Sequence, residues 1–407
     1  MIRIGIIGCG RILAAHLRGY RLLHERGACE FRISALCARN SADARGYIRR
    51  DAHYPQRKPV SDRAGDPLAV GDQYLEDFQP ECPVEVFDDY TELIQSPAVD
   101  AVNDLTAHHL HHPIALACER AGKPLLTQKP LAMTPAQGNE MVRRFESKNL
   151  PFGVCENWRF RPPTRHAKWA VDSGILGTLQ QLLFFNVGNW WAPRQVVAHT
   201  PWRHRRATGG GITLDIGPHL FHWARHIGGE IESVTGQTQC LEPRRFMPPS
   251  CDRTATPIDC DADDTFSACF KTDQDVIGTF SASWAGAPPG MLLGQGPQIL
   301  GSEGRIDGDQ RIDANGNAQP LADLYRKTCP PDRQAAEFPA QIEDGFALLQ
   351  LDWLNAIQAG RQPESSGREG LADLACAFAV LESSRQGMRI RPQTIIDGNH
   401  AQADPRH

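Results

Sequence analysis

The sequence predicts a two-domain α/β protein, in which a doubly wound parallel sheet precedes an α+β domain with a large, mostly antiparallel open sheet. The chain has 407 residues, which is more than a single hydrophobic core usually holds. Strand and helix patterns alternate over residues 1–150, as they do in doubly wound folds. Strand patterns then follow one another without intervening helices, which indicates an antiparallel sheet.

The first domain, residues 1–150, begins with a strand–helix–strand unit. Ile2–Ile7 is a short apolar run typical of a strand buried on both faces, Ile12–Glu25 has a helical pattern, and Phe31–Cys37 alternates as a second strand. Parallel strands joined by a helix almost always form a right-handed crossover. The remaining predicted elements are a strand at Ala98–Leu105, a helix at Pro113–Ala121, a strand at Lys123–Thr127 and a helix at Pro135–Lys148.

Residues 51–83 interrupt this alternation. They are rich in Pro, Asp and Arg and have no periodicity, so we expect a long surface insertion. Such an insertion can be a lid, a dimer arm or an irregular loop.

The second domain, residues 151–407, is expected to bind substrate and to form the oligomer. Its clearest strands are Leu182–Val187, Phe266–Phe270 and Val276–Ser283. Two late helices, Asp344–Ala359 and Gly370–Gln386, cover residues 344–386 and are expected to pack back toward the first domain.

The composition excludes several classes of partner. A formal net charge of −5 leaves no basic footprint for nucleic acid or an anionic membrane surface. The apolar runs are too short to cross a bilayer, and the N-terminus has no signal-peptide layout, so we expect a cytoplasmic protein. The 12 cysteines form no C-x-x-C pair, which favours reduced thiols and no metal site.

A Gly-rich turn follows the first strand. Gly8 and Gly10 flank Cys9, and Arg11 and Ile12 lead into the helix. In a Rossmann domain this arrangement lets backbone N–H groups approach a pyrophosphate at the N-terminus of the helix. Leu13 stands where the fingerprint has its third glycine, so the motif is partial. Its position between a strand and a helix predicts a dinucleotide site, and the alternative is a tight turn without a ligand.

The end of the second strand predicts the kind of dinucleotide. It reads Cys37-Ala38-Arg39-Asn40 and lacks the carboxylate that binds the ribose 2′-hydroxyl of NAD. Arg39 suits a 2′-phosphate, so NADP is the expected coenzyme, with NAD as the alternative. The competing interpretation of Arg39 is a solvated surface arginine.

Several later motifs occur in a fixed order with this turn. Together they resemble the glucose–fructose oxidoreductase / inositol dehydrogenase / MocA-like (Gfo/Idh/MocA) family, and the resemblance covers nearly the whole chain. The matching segments are Gly5–Ile12, Thr106–His111, Gly122–Lys123, Gln128–Ala132, Glu156–Phe160, Gly209–His219 and Ser366–Leu371.

The resemblance implies an NAD(P)-dependent dehydrogenase or reductase that acts on the CH–OH group of a sugar, cyclitol or related polyol. Lys129 matches the lysine of the family's E-K-P motif, which contacts the substrate hydroxyl and the nicotinamide ribose. Asp215 and His219 match its D-x-x-x-H pair, in which the histidine is the acid/base. The resemblance also implies a homodimer or homotetramer formed through the open sheet.

Three positions depart from the family pattern. Gln128 replaces the glutamate of E-K-P, and Ala107 and His108 replace the proline and asparagine of a T-P-N turn. The residues expected at the coenzyme are Gly8, Gly10, Arg11, Ile12, Arg39, Thr106, His108, His111, Gln128 and Lys129. Those expected at the substrate are Lys129, Asn157, Arg159, Asp215, His219 and His222.

The residue types fit proton transfer coupled to hydride transfer. Oxidising an alcohol requires a group that removes the hydroxyl proton, and a histidine with a carboxylate partner can do so near neutral pH. His219, His222 and His226 share a helix face, but no carboxylate or thiolate joins them at matching spacing, so no metal is expected. Two alternatives remain: a glycoside hydrolase of this family that oxidises its sugar transiently with NAD, and a non-catalytic ligand sensor.

Overall fold

The computed structural model divides the chain into two compact units. The first contains residues 1–132, 137–160 and 338–370, and the second contains 133–136, 161–337 and 371–407. The structure describes residues 1–54, 56–62, 66–188, 191, 194–247, 257–287, 290–292, 294 and 296–398.

The elements within the described residues are numbered here in chain order. The strands are β1 Ile2–Ile7, β2 Phe31–Cys37, β3 Glu85–Phe87, β4 Ala101–Asp104, β5 Leu125–Thr127, β6 Phe152–Val154, β7 Leu179–Val187, β8 Ile231–Gln239, β9 Arg244–Arg245, β10 Ile258–Asp259, β11 Thr265–Thr272, β12 Ile277–Ser283, β13 Met291–Leu292, β14 Gln298–Gly301, β15 Gly304–Asp307, β16 Gln310–Asp313 and β17 Ala318–Pro320. The helices are α1 Leu13–Glu25, α2 Ser41–Arg45, α3 Tyr90–Gln95, α4 His108–Ala121, α5 Pro135–Ser147, α6 Pro162–Asp172, α7 Ile212–Asp215, α8 Gly217–Gly228, α9 Leu321–Thr328, α10 Pro331–Glu337, α11 Gly345–Ala359, α12 Gly367–Gln386 and α13 Pro392–Ile396.

The first unit is built on a parallel sheet. Among the described residues its strand order is β3-β2-β1-β4-β5-β6, and every pairing is parallel. The predicted doubly wound fold is confirmed. The sheet extends past residue 150 because Leu125 of β5 pairs with Phe152 of β6.

A late segment of the chain completes the first unit. Asp344 caps α11 by accepting hydrogen bonds from the backbone N–H groups of Phe346 and Ala347, and it also pairs with Arg18 of α1 at 2.7 Å. Gly19 of α1 allows close approach, since a Cβ there would lie 2.5 Å from Oε1 of Gln350 on α11. The structure thus places α11 in the first unit, and residues from 371 onward in the second.

Residues 51–83 have more structure than an irregular loop. Outside position 55 and positions 63–65, the segment contains two short 3₁₀ turns, Pro67–Ala69 and Leu75–Asp77. Leu75 and Phe78 are buried in the core of the first unit. The Gln79 side-chain amide bonds both backbone groups of Ile33 on β2, at 3.0 and 2.8 Å, where β3 does not reach. The segment is therefore packed against the parallel sheet.

The second unit is built on a mixed sheet. Its described strands run in the order β17-β16-β15-β14-β7-β12-β11-β8, with β13 also paired to β7. Only the pairing of β12 with β7 is parallel among the described strands of this sheet, so the predicted mostly antiparallel sheet is confirmed. One face packs on α8, where Phe221 contacts Phe270 and Phe280 at ring-centroid distances of 5.9 and 5.6 Å.

Some predicted elements differ in their bounds. Helix α4 begins at His108, five residues before the predicted start at Pro113. Pro113 thus lies inside the helix, in its second turn. Among the described residues, no helix is both long enough and apolar enough to cross a bilayer.

Candidate active site

The Gly-rich turn lies between the ends of neighbouring strands. Gly8 donates its N–H to the carbonyl of Cys37 at 2.9 Å. Its φ is +99°, and a Cβ would lie 2.7 Å from the backbone carbon of Leu105, so only glycine fits there. Gly10 differs, since nothing lies within 4 Å of the position a Cβ would take. This open approach to the backbone beside Arg11 and Ile12 fits the diphosphate of a dinucleotide.

The end of β2 presents an exposed arginine. The side chain of Asn40 accepts a hydrogen bond from the N–H of Ala42 at 3.1 Å, which caps α2. Arg39 is exposed, and no carboxylate of the described residues pairs with it. Its guanidinium is therefore available to an anionic ligand.

His111 connects the loops that follow β4 and β5. Its Nδ1 lies 3.0 Å from the carbonyl oxygen of Pro130, and its Nε2 lies 3.2 Å from that of Thr106. Thr106 in turn donates its N–H and hydroxyl to the buried carboxylate of Asp104, at 2.9 and 2.6 Å. His111 thus lies between the two backbone segments, and a neutral ring donates its single N–H to one of these two carbonyls. His108 is buried beside it, with ring centroids 5.7 Å apart.

Gln128 faces a buried histidine. Its amide nitrogen lies 2.8 Å from Nε2 of His16 on α1. Burial lowers the pKa of His16 to about 3, so the ring is neutral and can accept this hydrogen bond. The neutral amide at the position where the family has a glutamate suits a neutral imidazole. Lys129, the next residue, is half-buried.

Two of the three substrate candidates in the first unit, Asn157 and Arg159, lie on a 3₁₀ turn just after β6. Asn157 is buried. Arg159 approaches two carboxylates, with its Nε 3.3 Å from Oε2 of Glu364 and its Nη1 3.9 Å from Oε2 of Glu369. The guanidinium of Arg159 would therefore have to be shared between these glutamates and any substrate.

The glycine run before Asp215 is closely surrounded by protein. A Cβ on Gly210 would lie 2.6 Å from the carbonyl oxygen of Arg203. Gly211 has a φ of +118°, and a Cβ on it would lie 2.3 Å from Oδ1 of Asp263. The carboxylate of Asp263 accepts the N–H and hydroxyl of Thr213, at 2.9 and 2.6 Å, in the first turn of α7. These contacts fix α7, which ends at Asp215.

Arg203 contacts the candidate residue Asp215, although no sequence motif assigned Arg203 to the site. Its Nε donates to Oδ2 of Asp215 at 3.0 Å, and its Nη1 donates to the hydroxyl of Thr200 at 2.6 Å. The guanidinium also lies 4.4 Å from the centre of the Trp202 ring. No motif spacing links Arg203 to Asp215, because the pairing depends on how three successive 3₁₀ turns fold before the glycine run.

His219 and His222 lie one turn apart on α8, and His219 is 9 % exposed. Nδ1 of His222 lies 2.7 Å from Oδ2 of Asp373, and Nη1 of Arg225 lies 2.7 Å from the other carboxylate oxygen. Nε2 of His222 is buried and has no hydrogen-bond partner among the described residues. The structure thus places Asp215, His219 and His222 on adjacent helices of the second unit, whereas Lys129, Asn157 and Arg159 belong to the first.

No group of three or more His, Cys, Asp or Glu side chains in the described part of the chain is arranged to hold a metal ion.

Two family models match the chain. Residues 2–155 match the model described as "Oxidoreductase family, NAD-binding Rossmann fold", and residues 164–307 match the "GFO/IDH/MocA C-terminal domain".

Three relatives named for sugar or cyclitol dehydrogenase activity are similar to all or part of the chain. The myo-inositol 2-dehydrogenase of Thermotoga maritima is 22% identical over 396 residues, which cover 97% of this chain and 100% of that protein. The D-apiose dehydrogenase of Paraburkholderia graminis is 23% identical over 317 residues, covering 76% of this chain and 77% of the relative. The levoglucosan dehydrogenase of Pseudarthrobacter phenanthrenivorans is 30% identical over 159 residues, which cover 39% of this chain and 40% of that protein.

Solved structures share the whole fold. A levoglucosan dehydrogenase in complex with NADH and levoglucosan superposes with a TM-score of 0.72 at 19% identity, covering 96% of this chain and 98% of the other. An Agrobacterium radiobacter oxidoreductase in complex with NAD+, L-tartaric acid and magnesium superposes with a TM-score of 0.70 at 18% identity. The match covers 97% of this chain and 99% of the other. With both of its domains matched by family models, the chain belongs to the Gfo/Idh/MocA family of oxidoreductases, with an NAD-binding Rossmann domain at its N-terminus.

Proposed function

We propose that the protein is an NAD(P)-dependent dehydrogenase or reductase that transfers hydride between a nicotinamide coenzyme and a CH–OH carbon of a sugar, cyclitol or related polyol. The observation that carries the proposal is the ion-paired Asp215 at the end of α7, followed on α8 by the nearly buried His219. The relatives named for levoglucosan, D-apiose and myo-inositol support the substrate class.

Each candidate residue has a distinct role in this proposal. The bound coenzyme would accept or supply the hydride. His219 takes the proton from the reacting hydroxyl during oxidation and returns it during reduction. Lys129 donates a hydrogen bond to the same oxygen, and Asp215, itself held by Arg203, orients the acid/base group. Asn157, Arg159 and His222 complete the substrate-binding set.

The coenzyme preference is a finer part of the proposal. We infer that NADP binds better than NAD, because Arg39 is exposed at the end of β2 and no carboxylate occupies residues 38–40.

The oligomeric state is a further part of the proposal. Ser267, Cys269 and Thr279 are exposed on the face of the second sheet opposite α8, which leaves a face of small polar side chains. We propose that subunits pack in pairs through this face, which forms a homodimer or, with two such pairs, a homotetramer in the cytoplasm. Light scattering across micromolar concentrations checks the assembly, and a strict monomer would contradict it.

The decisive experiment identifies the coenzyme and then the substrate. Nucleotide that co-purifies with the protein is identified by mass, and the protein is then assayed with levoglucosan, D-apiose, D-xylose and myo-inositol. We expect net growth of the reduced-nicotinamide absorbance with at least one of them. Glycoside cleavage without net coenzyme turnover would favour the hydrolase alternative, and failure to bind either coenzyme would overturn the proposal.

A further inference from the structure

A tyrosine outside the motifs contacts the Gly-rich turn. Tyr47 follows α2 and is 1% exposed. Its hydroxyl donates to the carbonyl oxygen of Gly10 at 2.9 Å. Burial raises the pKa of Tyr47 to about 12, so the phenol remains protonated and keeps its donor hydrogen at neutral pH. A residue that no motif contains is thereby hydrogen-bonded to the Gly-rich turn.

The segment after Tyr47 holds this side chain in place. The guanidinium of Arg57 lies over the Tyr47 ring, 3.6 Å from its centre, and its Nη2 donates to the carbonyl of Gly46 at 3.1 Å. Both the backbone N–H and Nε of Arg57 donate to the carboxylate of Asp72, at 2.9 and 2.8 Å. Tyr74 adds a third donor to Asp72 at 3.1 Å.

The backbone at Leu75 and Glu76 is hydrogen-bonded to the backbone at Tyr47 and Ile48. The N–H of Leu75 donates to the carbonyl of Tyr47 at 2.9 Å, and the N–H of Glu76 donates to that of Ile48 at 2.9 Å. Leu75 is buried in the core of the first unit. Contacts to its backbone carbonyl, to the face of its ring and to its hydroxyl therefore hold Tyr47 in place.

The bond to Gly10 has a consequence for the turn. The carbonyl of Gly10 and the N–H of Arg11 belong to one planar peptide unit and point in opposite directions. The carbonyl also accepts from the N–H of Leu13 at 3.1 Å, so two donors fix the orientation of this plane. The Arg11 N–H is consequently held on the opposite side of the peptide, at a helix N-terminus suited to phosphate.

We propose that Tyr47, clamped by Arg57 and Asp72, is a positioning residue for the coenzyme diphosphate, because it orients the Gly10–Arg11 peptide before the dinucleotide binds. The proposal gives Tyr47, Arg57 and Asp72 a function as the support of the coenzyme turn. It rests on coenzyme binding at that turn and on no assumption about the substrate.

The test is the removal of one oxygen atom. Tyr47→Phe keeps the ring and its contact with Arg57 but loses the hydrogen bond to Gly10. We expect the Kd for NADH or NADPH, measured by nucleotide fluorescence, to rise about three- to tenfold, the range for one lost hydrogen bond. ADP-ribose, which carries the diphosphate, should lose the same factor in competition, and adenosine, which carries no phosphate, should lose none.

Two further variants separate positioning from stability. Tyr90→Phe is the matched control, because Tyr90 begins α3 and its hydroxyl makes no hydrogen bond with the described residues, so its coenzyme Kd should not change. Arg57→Gln should raise the coenzyme Kd in the same direction as Tyr47→Phe, while thermal unfolding of the coenzyme-free protein confirms that both variants are folded. An unchanged NADH Kd in folded Tyr47→Phe overturns the proposal, as does equal weakening of adenosine. Absence of coenzyme binding in the wild type would overturn the coenzyme assignment as well.

Discussion

The turn at Gly8–Gly10 and the run at Gly209–Gly211 are both glycine-rich, yet the surroundings of Gly10 differ from those of Gly210 and Gly211. At Gly10 nothing lies within 4 Å of the Cβ position, so the missing side chain leaves room for a ligand. At Gly210 and Gly211 the same space is filled by the backbone of Arg203 and by the carboxylate of Asp263. A glycine run therefore indicates close approach, and only the surrounding structure shows whether a ligand or the protein itself approaches.

The largest expected effect concerns the proton transfer proposed for the residues that follow Gly209–Gly211. His219→Ala should lower turnover by about 10²–10⁴-fold, because a positioned acid/base group contributes that much, with coenzyme Kd nearly unchanged. Lys129→Ala should lower turnover by a factor in the same range, and Asp215→Asn should lower it by less. Steady-state kinetics on an identified substrate measure these losses. His226→Ala, on the same helix, is the matched control.

Because the proposed groups act on one hydroxyl, the Lys129→Ala/His219→Ala double variant should lose little more than the worse single variant. Near-wild-type turnover in His219→Ala would refute the mechanism even though the fold is established.

The next prediction compares the two glycine sites directly. Gly211→Ala should destabilise the protein by roughly 2–4 kcal/mol, since the added methyl meets Asp263 and the backbone φ is strained for alanine. Gly10→Ala should change the free energy of unfolding by less than about 0.5 kcal/mol, yet weaken coenzyme binding at least tenfold. Chemical denaturation and nucleotide titration measure the two quantities. Equal losses of stability in Gly10→Ala and Gly211→Ala would contradict the proposed difference between the two glycine positions.

A smaller effect should distinguish the two coenzymes at the first site. Arg39→Asp should weaken NADPH binding by roughly 1.5–3 kcal/mol relative to NADH, because a charge-assisted contact with the 2′-phosphate is lost. Arg39→Lys keeps the charge and should lose less, and Arg26→Asp controls for a charge change elsewhere on the exposed surface. Parallel titrations with both coenzymes measure the difference, and equal losses for NADPH and NADH would rule out the assigned role.

The last prediction concerns the pH dependence of stability that two buried histidines, His16 and His204, confer. Burial is the main cause that lowers the pKa of both His16 and His204 to about 3, well below the value near 6.5 of an unfolded chain. Between these values the unfolded state binds more protons, so the free energy of unfolding is highest above pH 6.5 and falls as the pH is lowered. Each histidine should contribute about 1.4 kcal/mol per pH unit in that window.

Denaturation at several pH values between 7 and 4 checks this slope. His16→Gln and His204→Gln should each make it shallower than in the wild type, and an unchanged slope in both would contradict the assignment. Gln128→Glu should act only on His16, because a carboxylate beside the ring raises its pKa and reduces its share of the acid sensitivity.

Local patterns predicted the first unit more completely than the second. Ile2–Ile7 and Phe31–Cys37 were predicted with the bounds the structure has, because continuous apolar runs and strict alternation are local signals. The strand Ile231–Gln239 was missed, since its buried positions Ser233 and Gly236 carry no apolar side chain and break the apolar alternation. The sixth strand of the first sheet was missed for another reason: three residues carry too short a pattern, and only their pairing with β5 makes them a strand.

The sequence by itself determined the fold class, the Gly-rich turn and the ordered motifs that contain Lys129, Asp215 and His219. These depend on residues close together in the chain. The tertiary structure alone decided which partner each of them meets: Arg203 pairs with Asp215 across 12 positions, Tyr47 bonds Gly10 across 37, and Gln128 meets His16 across 112. The physical reason is that such contacts form only when separate elements pack, and no local periodicity or turn chemistry encodes them.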